Sequence, residues 1–521
     1  MSGTPLLNSI QETILELDPS AKSKAALAVG AATMAGYTIY KTVSGPDLSH
    51  IPAIGDSGWL SPYAGARMFQ ERAREMVQEG VDKYPGRAFR VPLMDSWIVV
   101  ISGRGLVDEL RAAREDELSF RQAAERIFQM QYTFGLNLDH HDSQLRVVQG
   151  DVTRNIGHCF GEIYDEIETA FNDVVSFQNG EEWCTVNAHD AVMTLVNRVG
   201  NRYFVGLPLC RNEGFLKANM EFAHGVMQAA GILPKFPSFV HPLIGKYLSP
   251  YRAIRHDLLQ HIGAVVAQRI RDDDELGMDR PDRPNDLISW VLSYLPPELR
   301  NVDEMVLRIM HINFGALHTS TSIFTYALLH LAAEPHVYLG PLREEAEEVI
   351  SRHGWGKTAM REMHKVDSFL REAGRFNGLG CLSLDRVVTK KGGYTFSDGT
   401  YVPEGVRISV ASHATHRDED NYPNAHVFDG FRYSRLREND PKKYQMVKTD
   451  CDYVLFGHGF HACPGRFFAA NELKAMLAHI VLHYDVQLEG GSRVKPENEW
   501  FRDLQSPSHS ARVMFRKRSL G

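Results

Sequence analysis

The sequence predicts a mainly α-helical protein with small β-sheets, and three observations support this fold class. Residues 302–334 form one long apolar helical pattern, which Pro335 ends. Residues 64–84 and 147–160 also show helical spacing. Strand-like runs occur at residues 90–101 and 382–412, where glycines mark ends or turns, so we expect two separate small sheets.

Composition places the chain among ordinary globular proteins. Of its 521 residues, 43% are hydrophobic and 23% are charged, which is enough to bury a large core. The formal net charge of −8 does not suggest a nucleic-acid partner. The six cysteines lie far apart without CxxC or disulfide-framework spacing, so we expect the main body to face a reducing compartment. Residues 269–286 are rich in charge, and we interpret them as a solvated linker.

The stretch FGHGFHACPGRFFAA, residues 456–470, contains the pattern F-x-x-G-x-x-x-C-x-G, filled by Phe456, Gly459, Cys463 and Gly465. The glycines let the backbone pass close under a flat group and turn around one sulfur. A helical pattern begins after Cys463, and amide dipoles at a helix start favour a thiolate. A lone thiolate fits one axial bond to haem iron better than a tetrahedral metal site. The alternative is a buried, inert cysteine on a glycine turn.

This cysteine stretch resembles the haem-binding loop of the cytochrome P-450 superfamily of haem-thiolate monooxygenases. The resemblance implies a single large haem domain that binds haem b, with Cys463 as the proximal ligand of the iron. It also implies that Phe456 packs against the sulfur side of the ring and that His461 reaches a haem propionate. A surface position is the alternative for His461.

The middle of the long helical pattern reads GALHTST, residues 315–321. Small residues here allow a flat ligand to lie against the helix, and the Thr319 hydroxyl can bond a helix carbonyl or a group in the groove. In the resembled family this helix carries a small-residue pair, an acid and a threonine beside the oxygen site. Gly315, Ala316 and Thr319 match this pattern, but His318 replaces the acid. His318 then either carries protons near neutral pH or faces other residues.

The resemblance implies a structural role for two further sets of residues. Glu372 and Arg375 lie three apart on one predicted helix, upstream of Arg432. In the family such a glutamate and two arginines form an ion-pair lattice that holds the fold and the haem. Arg154 is placed to donate to a propionate, although Gly150 stands where the family often has a tryptophan. A solvated arginine is the alternative for Arg154.

The N-terminal segment, residues 1–44, contains an almost uncharged run at residues 25–40 between lysines. A helix of 16 residues rises ~24 Å, short of a ~30 Å hydrocarbon core. A single-span anchor over about residues 25–43, an interfacial helix and a soluble helix therefore remain open. Residues 45–60 form a proline-bearing hinge before the haem-thiolate monooxygenase domain, residues 61–521. The family's order of anchor, hinge and domain implies attachment to the endoplasmic reticulum, with the domain in the cytosol.

The leading functional hypothesis is a monooxygenase that hydroxylates a lipophilic substrate, such as a terpenoid or sterol-like secondary metabolite. No Gly-rich dinucleotide fingerprint opens a βαβ unit, so we expect electrons from NADPH-cytochrome P-450 reductase. The family's substrate roof corresponds to residues 215–255. One alternative is a reductase-independent haem-thiolate isomerase or dehydratase, although Thr319 argues against it. The other is a haem-binding sensor or carrier without enzymatic activity.

Overall fold

The computed structural model describes residues 36, 45–55, 61–93, 96–134, 143–177, 182–236 and 238–518. The predicted anchor, apart from residue 36, and residues 56–60 of the predicted hinge lie outside these residues. In the part of the chain that is described, no helix is both long enough and apolar enough to cross a membrane.

Most of the described chain is helical, as the sequence predicted. The first helices are α1 (Ser61–Lys83), α2 (Arg104–Ala112), α3 (Phe120–Phe128), α4 (Met130–Thr133), α5 (Ser143–Val147), α6 (Thr153–Asn155), α7 (Phe160–Val174), α8 (Ala188–Phe204), α9 (Glu213–Ile232) and α10 (His241–Leu248). The later helices are α11 (Pro250–Leu258), α12 (Ala264–Leu276), α13 (Leu287–Tyr294), α14 (Val302–Ala333), α15 (Pro335–His353), α16 (Lys357–Glu362), α17 (His364–Asn377), α18 (Ser412–His416), α19 (Arg432–Arg437) and α20 (Arg466–His483).

The central helix is α14, and its ends are set by local chemistry. The Asn301 side chain caps its first turn by accepting a hydrogen bond from the Glu304 amide. It ends directly before Pro335, which is the first residue of α15. The largest hydrophobic core packs around α14 and includes side chains of α7, α8, α17 and α20. This packing fixes α14 as one wall of the functional site.

The strands form four small sheets. They are β1 (Phe89–Pro92), β2 (Trp97–Ile101), β3 (Leu118–Ser119), β4 (Cys184–Asn187), β5 (Ser383–Val388), β6 (Tyr394–Thr395), β7 (Tyr401–Val402), β8 (Arg407–Val410), β9 (Tyr484–Leu488), β10 (Glu499–Phe501), β11 (Leu504–Ser506) and β12 (Arg512–Lys517). One sheet has the order β1-β2-β8-β5-β3 and another has the order β4-β12-β9, while β6-β7 and β10-β11 are two-stranded.

The expectation of two separate sheets for residues 90–101 and 382–412 is wrong. Strand β2 pairs in parallel with β8, with Ile98 opposite Arg407 and Ile101 opposite Val410. Strands β2, β5 and β8 share one buried apolar face, so a single five-stranded sheet covers this core.

The interpretation of residues 269–286 as a solvated linker is also wrong. Helix α12 continues to Leu276, and the buried carboxylate of Asp273 accepts hydrogen bonds from Arg280 and Arg283. Arg269 pairs with Asp286 at 2.8 Å. These inner charges therefore pair with one another in the fold, whereas Asp274, Glu275 and Asp279 are exposed to solvent.

Candidate active site

A cavity of about 2250 Å³ has walls from both α14 and the loop that precedes α20. Ligand pockets for drug-sized molecules are usually ~300–1000 Å³. This cavity can therefore hold a large flat cofactor together with a second molecule. Cys463 and Thr319 both line it, although 144 positions separate them in the sequence.

The loop from residue 456 to residue 465 is shaped by glycines in the left-handed region. Gly457 has φ +68° and Gly459 has φ +76°. A Cβ atom at Gly459 would lie 2.8 Å from the carbonyl oxygen of Arg111, so only glycine lets the loop pack against the end of α2. The Cys463 amide donates to the Phe456 carbonyl at 2.7 Å, which closes the loop.

Cys463 is a free cysteine at the start of α20, partly exposed to the cavity. Burial raises the pKa of its thiol, and hydrogen bonds from the backbone amides of Gly465 and Arg466 act in the opposite direction. Gly465 has φ −80°, so the turn around the sulfur needs no left-handed residue there. A Cβ atom at Gly465 would nevertheless stand 3.9 Å from the Cys463 sulfur.

The opposite wall presents an open strip on α14. Gly315 and Thr319 are exposed to the cavity, and residues four apart lie on one face of a helix. A Cβ atom at Gly315 would meet nothing within 4 Å, so a flat group has room beside it. The Thr319 hydroxyl donates to the Gly315 carbonyl at 2.9 Å.

Below the loop, the structure brings Glu372, Arg375 and Arg432 together. Arg375 forms two hydrogen bonds with Glu372, at 2.7 and 2.8 Å, and both side chains are fully buried. Arg432 Nε lies 3.2 Å from the same carboxylate. Arg375 and Arg432 use their other N–H groups on backbone carbonyls, so the buried charges are well satisfied.

Comparison with known proteins gives the family. The family model described as Cytochrome P450 matches residues 60–515. The chain belongs to the cytochrome P450 family. Cytochrome P450 monooxygenase 71 of Postia placenta is 41% identical over 475 residues, which cover 90% of this chain and 94% of that protein.

Two further relatives widen the comparison. Cytochrome P450 monooxygenase CYP512U6 of Ganoderma lucidum is 33% identical, over 91% of this chain and 93% of its own. Ent-kaurene oxidase P450-4 of Gibberella fujikuroi is 30% identical, over 94% and 96%. The P450 chain is thus an oxidoreductase of the monooxygenase class, as the sequence predicted.

The cavity of this P450 fits the haem that the family implies. Arg386 is buried at the cavity wall, and its Nε has no hydrogen-bond partner within the described residues. An unsatisfied guanidinium donor beside a cavity suits a carboxylate such as a porphyrin propionate. With the Cys463 sulfur on one wall and open space at Gly315 on the other, the donor set and the shape both match a haem.

The structure does not bring Arg154 to the cavity of the P450. Its side chain is 68% exposed and pairs with Asp151 one turn earlier, at 3.1 Å. His461 does line the cavity, but its Nε2 pairs with the Glu115 carboxylate at 2.9 Å. Although burial opposes it, hydrogen bonds from His461, Ser119 and two amides lower the pKa of Glu115 to about 2. Arg154 thus lies away from the cavity, whereas the propionate contact of His461 stays a prediction.

His318 lines the cavity, and its ring packs against α9. Its ring packs edge-on against His224, with the centroids 5.3 Å apart, and its buried Nε2 has no partner within the described chain. Burial, aided by the neighbouring His224, lowers the pKa of His318 to about 4. The ring is therefore neutral near pH 7, and the hypothesis that it carries protons stays a prediction.

Sequence reasoning missed Glu472. This residue of α20 is buried, and its carboxylate oxygens make no hydrogen bond that meets normal geometry within the described residues. Burial raises the pKa of Glu472 to about 8, while the nearby Ser320 acts in the opposite direction. A glutamate inside the otherwise apolar pattern of residues 472–484 was the available signal.

Proposed function

We propose that this P450 binds haem b through Cys463 and hydroxylates a lipophilic substrate in the large cavity. The observation that carries the proposal is the placement of the Cys463 sulfur and the Gly315–Thr319 strip on walls of one cavity. This arrangement leaves room for a flat cofactor and for a substrate beside it.

Each residue of the site has a defined task in this proposal. Cys463 holds the iron, and Phe456 and Gly459 shape the loop behind it. Arg386 binds a propionate, because it lines the cavity and has a guanidinium N–H group without a partner in the described residues. When bound, the haem supplies the chemistry that activates dioxygen.

Thr319 is the residue that we assign to proton handling on the open side. Its hydroxyl is exposed to the cavity while it donates to the Gly315 carbonyl. A hydroxyl held in this way still has acceptor lone pairs, so it could hold a water molecule in the cavity on the side where a bound haem would take up dioxygen, and that water could supply protons there. The lattice of Glu372, Arg375 and Arg432 holds the fold around the haem and does not take part in the chemistry.

The partners follow from the same proposal. We infer that NADPH-cytochrome P-450 reductase supplies the electrons and that residues 25–43 attach the enzyme to the endoplasmic reticulum, with the domain of residues 61–521 in the cytosol. None of the six cysteines, all of which the structure describes, forms a disulfide, which is consistent with a reducing compartment. One relative is named an ent-kaurene oxidase, and a large cavity suits a terpenoid or sterol-like skeleton.

A spectrum tests the iron ligand. The reduced protein with carbon monoxide is expected to show the red-shifted band of a thiolate-bound haem. Cys463→Ala is expected to lose this band, while Cys184→Ala, at a buried cysteine outside any disulfide, keeps it. A thiolate band that survives Cys463→Ala would rule out the ligand assignment, and a protein that takes up no haem would rule out the function.

An assay with reductase tests Thr319. Thr319→Val keeps the shape of the side chain but removes its hydroxyl, so we expect NADPH consumption to continue while hydroxylated product falls ~10²-fold or more. Thr325→Val is the matched control, because Thr325 makes the same bond to a carbonyl four residues back but is buried away from the cavity. Equal coupling in both variants would contradict the assignment. Product from a peroxide substrate without NADPH would favour the isomerase alternative.

A further inference from the structure

A second group of metal-binding side chains lies beside the Cys463 loop and plays no part in the proposed monooxygenase. Asp450, Cys451 and His458 each offer one ligand atom, and these atoms all lie within 4.8 Å of one another. We propose that they bind one divalent ion of the zinc class, with Asp108 as the fourth ligand.

Asp108 completes the set from a different element. It lies on α2, and its Oδ1 is 3.8 Å from the Cys451 sulfur. One sulfur, one imidazole nitrogen and two carboxylate oxygens are ligands that Zn²⁺ accepts in tetrahedral sites. Thiolate and imidazole together select against Mg²⁺ and Ca²⁺, which take oxygen ligands.

A hydrogen bond already orients the ring of His458. The Thr449 hydroxyl and His458 Nδ1 are hydrogen-bonded at 3.0 Å. This contact leaves Nε2 as the ring nitrogen for a metal, and a bond of this kind at the other nitrogen fixes metal-binding histidines in proteins.

With Cys451 as a thiolate, the charges of the site would balance once a divalent cation is bound. Asp108, Asp450, Asp452 and a Cys451 thiolate would carry four negative charges. Arg104 pairs with Asp450 and Asp452, and Arg111 pairs with Asp108. These two arginines offset half of the charge, and one divalent ion offsets the rest.

Both carboxylates can serve the ion and the arginines at once. Arg111 bonds Oδ1 of Asp108, and Arg104 bonds Oδ1 of Asp450. The Cys451 amide also donates to Oδ1 of Asp450, at 2.7 Å. The Oδ2 atoms of Asp108 and Asp450 can therefore turn to the ion without breaking these contacts.

A bound ion would join α2 to residues 450–458, which lead into the Cys463 loop. The loop already packs on α2 where Gly459 meets the Arg111 carbonyl. The ion would thus stiffen the support of the loop from outside the cavity, and it would do so whatever the substrate is.

The experiment uses the haem-loaded protein, equilibrated in a metal buffer that holds free Zn²⁺ in the nanomolar range. Zinc and iron are then counted by mass spectrometry, and the zinc ligands are read from X-ray absorption at the zinc edge, where haem does not interfere. We expect one zinc per haem and one sulfur at ~2.3 Å.

Three variants and two controls decide the result. Cys451→Ala, His458→Ala and Asp108→Asn are expected to weaken zinc binding at least ~10-fold. Cys184→Ala and the exposed His353→Ala are expected to bind zinc normally. If the loop variants lose haem, Asp108→Asn still tests zinc binding, because Asp108 is on the surface of α2 and outside the loop.

No zinc at nanomolar free metal would overturn the proposal. Zinc without a sulfur ligand, or zinc retained by Asp108→Asn together with the loop variants, would also overturn it. None of these outcomes depends on monooxygenase activity. The zinc site and the proposed function are therefore tested independently of each other.

Discussion

At the scale of single residues, Glu472 on α20 is a buried acid whose charged form is costly. Its carboxyl group is buried in the interior, and its raised pKa of about 8 means that the folded protein keeps it protonated near pH 7. The unfolded chain ionises this group near pH 4.5. Stability from the protonated form is therefore complete below pH 4.5 and is lost as pH rises through 8.

Glu472→Gln is expected to remove this pH dependence, because glutamine is neutral throughout. Between pH 5 and pH 8 the variant should gain stability over the wild type by up to ~1.4 kcal/mol per pH unit. Urea unfolding at several pH values measures the difference. The exposed Glu438→Gln serves as the control and should follow the wild type. Parallel profiles for Glu472→Gln and the wild type would show that the carboxyl group is not kept protonated.

The sequence predicted the position of Cys463 and Gly459 well, because loop spacing and left-handed glycines are local properties. It did not predict that His461 pairs with Glu115, which is far away in the chain, or that Arg154 pairs with Asp151 within one turn. A single sequence does not show which of several possible partners a charged side chain will find.

At the scale of elements, the junction of α17 with the segment before α19 depends on Glu372. This carboxylate receives Arg375, Arg432 and the Asp429 amide at once. Removing it would leave two buried guanidinium groups without their counter-charge, and such uncompensated charges are strongly destabilising.

Glu372→Gln keeps the shape of the side chain and is expected to destabilise the protein by ~3–5 kcal/mol. Urea unfolding followed by circular dichroism measures this cost, and absorbance reports the haem that is released. Glu348→Gln is the control, because its ion pair with Arg352 on α15 is exposed and should contribute ~0–1 kcal/mol. Similar losses in the two variants would contradict a buried lattice.

The sequence located α14 within one residue because caps and proline are local signals. It did not predict that β8 joins β2, since parallel pairing between strands about 300 positions apart has no local signature. The charged residues 269–286 were misread for a similar reason. Their ion pairs form only after α12 and the following segment fold back on each other.

At the scale of the whole molecule, buried histidines make the fold sensitive to acid. Burial lowers the pKa values of His311 and His318 to about 4, and those of His413, His416 and His479 to about 3. The unfolded chain protonates these rings near pH 6.5. Their contribution to stability is complete above pH 6.5 and is lost as pH falls through the folded pKa values.

We therefore expect the free energy of unfolding to fall steeply between pH 6.5 and pH 4. His479→Leu should make this fall shallower by up to ~1.4 kcal/mol per pH unit, because a leucine takes up no proton. Urea midpoints measured across this pH range test the expectation, with the exposed His353→Leu as control. An unchanged slope in His479→Leu would contradict it.

The continuity of α14 has a consequence for how a substrate reaches the cavity. The helix has 32 residues and spans ~48 Å, and its core side chains on both sides of Gly315 and Thr319 anchor it, with α8 and α17 packed against it. A helix held in this way cannot move outward without disrupting the hydrophobic core around it. We therefore expect the entrance for a large substrate to open away from α14, where Pro234, Phe236 and His241 line the cavity. The neighbouring Phe239 and Leu243 are exposed to solvent at this place.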